Sequence, residues 1–144
     1  MIRLDDPFDL FRFVAAQAAS IDDVMAELAD GAKRTHWMWF VFPQLRGLGR
    51  SDMARRYGIG SGAEARAYLA HPFLGPRLLA ATALAAQAPG TARKVMGSPD
   101  DLKLRSSMTL FAAVATDPAP FTATLGRFWG GERCTATLSL LRAE

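Results

Sequence analysis

The chain has 144 residues, half of them hydrophobic and 22% charged, and a net charge of +3, so it can bury one hydrophobic core and is too apolar for disorder. Its lone cysteine, Cys134, excludes an intrachain disulfide and a cysteine-rich zinc site, and it fits a reducing compartment. No apolar run approaches the roughly 20 residues of a membrane span, and acids stand where a secretory leader would be basic, so a cytoplasmic protein with no membrane attachment is expected.

Helical periodicity dominates the chain in order. After Pro7, the residues Phe11, Val14, Ala15 and Ala18 share a face, which predicts a helix from about Phe8. Ser20 reads as the N-cap of a second helix, with Asp22 and Asp23 in its first turn, Ile21, Val24, Met25 and Leu28 on its apolar face, and Gly31 as its stop. The aromatic run Trp37–Phe42 suits either a helical turn or an extended segment, and Pro43 ends either one. Leu45–Gly49 is a loop, Ser51 caps a short helix through Tyr57, and Ser61 with Glu64 forms a capping-box pattern for a helix through Ala70.

A longer helix runs from near Pro72 to Pro89-Gly90, and a short one covers about Thr91–Met96. Ser98-Pro99-Asp100-Asp101 sets a capping serine, a first-turn proline and two first-turn acids before a helix reaching about Ala115, whose Leu104, Met108 and Phe111 form one buried stripe. Asp117-Pro118 opens the next helix, Gly130-Gly131 breaks it, and a last helix covers about Thr135–Leu141. The expectation is an all-α, compact, single domain over residues 1–144 with about seven to nine helices.

Two segments carry candidate chemistry. In Gln44–Ser51, Gly47 and Gly49 permit close approach of backbone to a ligand, Arg46 and Arg50 can pair with phosphate or carboxylate, and Ser51 opens a helix. A tight turn with solvated arginines explains the same residues, and neither the dinucleotide-binding nor the P-loop pattern is present. In the Asp100 helix, Lys103, Arg105, Ser106 and Thr109 leave the apolar stripe, with Lys103 and Ser107 one turn apart. The hydroxyls can bond back to helix carbonyls, which leaves the two cations less well explained.

His36 is the candidate acid–base residue, although no sequence-near carboxylate orients it and a structural histidine is the commoner outcome. His71 reads as a helix-start residue, and Cys134 reads as a buried inert thiol. Basic residues from Lys33 to Arg56 follow an acidic first segment, so mutual neutralisation competes with an anion-binding face. The mild net charge and the absence of a recognition motif argue against nucleic acid.

The run Lys33–Gly49 resembles the hallmark of the small proteins grouped as domain of unknown function 1810. So do Arg56-Tyr57-Gly58-Ile59, Tyr68–Pro72 with Leu74–Leu78, and Asp100–Phe111. The resemblance spans nearly the whole chain and implies a mostly helical cytoplasmic protein without an established activity. That family tends to carry an aspartate before its final helix, where this chain has Cys134, with Glu132 as the nearest acid. A fainter similarity, through the aromatics and Trp129-Gly130, is to helical proteins that bind ADP-ribose-like ligands.

These residues predict a binding protein for a small anionic, nucleotide-like ligand, or a hydrolase or transferase acting on one with His36 as its acid–base residue. Trp37 or Trp39 stacks on it, Arg46 and Arg50 hold its charge with Gln44, Gly47 and Gly49 beside them, and Lys103, Arg105, Ser106 and Thr109 form the opposite wall. No cofactor or metal is expected. The alternative is a non-enzymatic interaction domain with the aromatic run as core.

Overall fold

The computed structural model describes residues 5–144. Ten α-helices occupy them: α1 Phe11–Ala18, α2 Ile21–Ala29, α3 Met38–Val41, α4 Asp52–Arg56, α5 Gly62–Ala70, α6 Leu74–Gln87, α7 Ala92–Met96, α8 Asp100–Val114, α9 Ala119–Trp129 and α10 Thr135–Arg142. The described chain is therefore all-α, with slightly more helices than expected because the aromatic run contributes one of its own. No strand forms among the described residues, and the one extended pairing is an isolated parallel bridge between Leu45 and Ile59.

Helix starts follow side-chain chemistry. Asp6 accepts from the amides of Leu10 and Phe11 at 2.8 and 3.0 Å, so α1 begins at Phe11 rather than Phe8. Ser51, Ser61 and Thr91 cap α4, α5 and α7 by accepting from the amide three residues on. Ser20 does not cap α2; its hydroxyl donates back to the Ala16 carbonyl. The His71 Nδ1 accepts from the amides of Phe73 and Leu74 at 3.1 and 3.3 Å and serves as the cap of α6. Ser98 lies one residue ahead of the α8 N-cap position, Pro99, and makes no capping bond.

α8 is the central helix, packed against α5, α7, α9 and α10. Leu104, Met108, Leu110 and Phe111 are fully enclosed, and Phe111 meets Tyr68 and Phe121 ring to ring. α6 lies across α2, α5 and α9. A Cβ on Gly75 would sit 2.1 Å from the Leu69 carbonyl oxygen, so the α5–α6 turn closes only around a glycine.

A buried polar knot ties the aromatic run to α1 and α5. Gln17 Nε2 donates to the Phe40 carbonyl at 2.7 Å and to the Tyr68 hydroxyl at 3.1 Å, and that hydroxyl donates to the same carbonyl at 3.2 Å. Burial pushes the Tyr68 phenol well above its ordinary range, so it stays a donor. Of the two conformations its sequence allows, the run takes the helical one, a single turn over Met38–Val41, and the isolated extended pairing comes only after Pro43, at Leu45.

Candidate functional site

Glu27 sets the entrance to the aromatic run. Only 6% exposed, its Oε1 accepts from the amides of Arg34 and Thr35 at 2.6 and 2.9 Å and from the Trp37 indole at 3.1 Å; its Oε2 accepts the Thr35 hydroxyl at 2.6 Å. Burial on its own raises this carboxyl, but the hydrogen bonds outweigh it and hold the group down at about 2, against an ordinary 4.5. The loop between α2 and α3 is therefore wrapped around a fixed negative charge.

That clamp places the side chains around a cleft of about 200 Å³ between the loop and the start of α8, lined by Lys33, His36, Met38, Trp39, Ser98, Pro99 and Asp100. Lys33 runs beneath the indole of Trp37, its Nζ 5.0 Å from the ring centre and 2.9 Å from the Asp100 carboxylate. Lys103 reaches the same carboxylate at 3.6 Å and lies 5.4 Å from the centre of the Trp39 ring. Trp39, partly exposed, also lines a much smaller crevice with Met38, Phe42, Gln44, Ala54 and Lys103.

Not every expected residue arrives here. Trp37 is 1% exposed, with its ring among Lys33 and Phe42 and its N–H spent on Glu27, so it offers no face to a ligand. Of the Gln44–Ser51 segment, Gln44 alone lines the crevice beside Trp39 and Lys103. Arg46 turns away: its guanidinium donates to the Arg55 and Gly58 carbonyls at 3.2 and 3.0 Å. Arg12 donates to the same Gly58 oxygen and to Arg56, and pairs with the buried Glu64 at 2.8 Å.

The reason is local. A Cβ on Gly58 would lie 2.8 Å from the Arg46 backbone, so the two segments touch and the arginines satisfy that junction's carbonyls. Arg50 is exposed, without a hydrogen bond or ion pair among the described residues. Gly47, at φ +103°, makes a turn, and Gly49 packs so closely on Ala54 that a Cβ would come within 2.6 Å; both act on the chain's own backbone.

The α8 residues divide between two surfaces. Lys103 faces the Trp39 cleft, whereas Arg105, Ser106 and Thr109 face the loop before α10. Arg105 stands 3.6 Å from Glu132, Ser106 Oγ is 3.3 Å from Cys134 Sγ, and Thr109 accepts the Cys134 amide at 3.0 Å. Ser106 and Thr109 also bond back to the Leu102 and Arg105 carbonyls at 3.2 and 2.8 Å. Ser107 is fully buried, and its hydroxyl makes no bond to Lys103.

His36 is exposed and has no carboxylate partner among the described residues. The α8 amino terminus is not an open anion site, because the amides of Asp101, Leu102 and Lys103 already donate to Gly97 and Pro99. No cluster among the described residues has the His, Cys, Asp and Glu content to hold a metal. Sequence reasoning missed Lys33 and Asp100 as a cross-loop ion pair. Their opposite charges are visible in the sequence, but their meeting depends on the loop after α2 docking on α7, where the Lys33 amide donates to the Val95 carbonyl at 2.7 Å, beside α8.

The larger surface depressions lie elsewhere. A groove of about 470 Å³ between α1 and the α5–α6 turn is lined by Phe8, Phe11, Val14, Ala67, His71 and Phe73, with Phe11 and Phe73 about half exposed.

The family model described as protein of unknown function (DUF1810) matches residues 7–141. The crystal structure of a conserved hypothetical protein from Mycobacterium tuberculosis is similar at 54% identity and a TM-score of 0.94, covering 95% of this chain and 99% of that one. No curated protein matches the chain.

Proposed function

The chain belongs to the DUF1810 family, whose description carries no activity, and from the geometry of the Trp39 cleft we propose that it binds a small ligand pairing a planar ring with an anionic group. One observation carries this reading: a partly exposed indole lines a concave cleft with Lys33, His36 and Asp100, and Lys103, which lines the adjoining crevice beside the same indole, reaches the cleft's Asp100 at 3.6 Å. The ring stacks on Trp39, and the anion meets Lys103.

Asp100 constrains the ligand's charge. It already faces both lysines, so an incoming anion draws Lys103 away from Asp100 at 3.6 Å more readily than Lys33 at 2.9 Å. The site therefore suits one or two negative charges and excludes a polyanion, and its volume suits a mononucleotide fragment or smaller. Arg46 contributes nothing to it, since its guanidinium donates to carbonyls on its own side of the chain.

Thermal-shift screening against nucleoside monophosphates, phosphosugars and aromatic carboxylates tests the reading. A native-state ligand at a hundred times its Kd adds roughly 2.7 kcal/mol of apparent stability. The shift should vanish in Trp39→Ala and in Lys103→Ala while both variants still unfold cooperatively. A ligand whose shift persists in both variants binds elsewhere and refutes the assignment.

A second reading, a protein-interaction domain, draws on the half-exposed Phe11 and Phe73 at the edges of the α1 groove. Unchanged sedimentation and no captured partner that is lost in Phe73→Ser would count against it.

A further inference from the structure

We propose that the groove between α5, α6 and the turn joining α8 to α9 is the contact surface for a second copy of this chain, docked across a two-fold axis. The groove has a volume of about 460 Å³ and shares no residue with the Trp39 cleft or the α1 groove. Buried Phe121 and partly covered Leu69 and Val114 line it, together with Leu79, which is 42% exposed.

The solvent side of α6 extends this surface. Pro76, Leu79, Ala80, Ala83 and Gln87 fall on one face at helical spacing, all of them exposed and none of them charged. The one charged residue of α6, Arg77, is turned inward, its guanidinium 3.4 Å from Gln17 Oε1 and 5.5 Å from the centre of the Phe73 ring. In a chain that is 22% charged, the outer face of a 14-residue helix ordinarily carries charges that solvate it. Without them the face loses little on leaving water, which is the property that distinguishes the centre of an interface from its rim.

Two charges identify the occupant. Arg66 of α5 and Asp117 of the α8–α9 turn both line the groove and are both exposed, yet they form no ion pair with each other. Arg66 makes no hydrogen bond or ion pair among the described residues, and the nearby acid Glu144 is bound by the Gly62 amide at 2.7 Å. Asp117 Oδ1 accepts the Ala119 amide at 3.1 Å, and no cation pairs with its carboxylate among the described residues.

A groove that carries one cation and one anion beside apolar side chains is its own complement. Across a two-fold axis, Arg66 of each copy meets the partner's Asp117, so both charges are paired by one operation. A ligand or peptide of a single sign would leave one of the two facing its like or covered without a partner. The same contact covers Leu79 of both copies, the large apolar side chain that α6 shows to solvent. Ion pairs at a wet rim fix register more than affinity, so a dimer that dissociates in the micromolar range is expected.

Sedimentation equilibrium of the full chain, from micromolar to submillimolar concentration, should show a monomer–dimer equilibrium. Arg66→Glu and Asp117→Lys each set two like-charged pairs across the axis and should weaken dimerisation at least about tenfold, with melting by circular dichroism confirming that both remain folded. Mixing the two variants in equal amounts should restore a dimer, because each chain then meets opposite charges in its partner. Leu79→Glu should abolish the dimer by placing a charge at its centre. A wild-type chain that stays monomeric throughout overturns the second copy as occupant and leaves the groove to a different protein. A dimer that persists in Leu79→Glu forms through another face. A dimer indifferent to both charge reversals, or lost in both and not regained on mixing, overturns the pairing of Arg66 with Asp117.

Discussion

Replacing Glu27 by glutamine tests the premise that a buried negative charge organises the loop carrying the cleft. Glutamine keeps the size and one carbonyl oxygen, so the amides of Arg34 and Thr35 and the Trp37 indole can still donate to it. The Thr35 hydroxyl, which donates to Glu27 at 2.6 Å, can rotate and accept from the new amide. What the variant removes is therefore chiefly the charge. The carboxyl lies at about 2 in the folded protein against an ordinary 4.5, and at about 1.4 kcal/mol per unit the ionised form supplies roughly 3 kcal/mol.

Because the folded value is the depressed one, this stability is complete above about 4.5 and is lost as pH falls towards 2. Urea unfolding at pH 7 should show the variant less stable by about 2–3 kcal/mol, and the gap to wild type should close as pH drops from 4.5 to 2.5. Glu27→Ala removes the acceptors as well and should cost about 3–5 kcal/mol, because the Trp37 N–H and two amides are left unpaired. A gap between wild type and Glu27→Gln that stays constant from pH 7 to pH 3 would refute the argument.

Gly75→Ala should destabilise by about 1–3 kcal/mol in thermal or urea unfolding, since the new methyl meets a backbone carbonyl that cannot step aside. Glu64→Gln leaves Arg12 without its buried partner and should cost about 3–5 kcal/mol by the same measurement. Arg46→Ala should lower stability through the lost bonds to Arg55 and Gly58 while leaving unchanged any thermal shift that Lys103→Ala abolishes, which isothermal titration can check. Tyr68→Phe should cost about 1 kcal/mol or slightly more, because Gln17 still satisfies the Phe40 carbonyl.

Much of the architecture is legible in the sequence. Apolar residues at helical spacing and caps such as Ser51, Ser61 and Thr91 act over three or four residues, so the helices and their order follow from local chemistry. The buried stripe Leu104–Met108–Phe111 follows in the same way. Which polar residues meet does not. Arg46 has the look of a ligand contact, but it serves the Gly58 junction, whose partner segment lies a dozen residues on. Trp37 and Trp39 are equivalent in the sequence until Glu27, from another helix, takes the indole N–H of one and leaves the other at the surface. Cys134 has helical spacing that suits a core thiol, and only the packing of α10 on α8 brings Ser106 and Thr109 to it. Periodicity and capping are properties of neighbours along the chain, so the sequence determines the helices; partners of buried charges and hydroxyls come from packing, because each such group must find whatever donor or acceptor the folded core brings within about 3 Å.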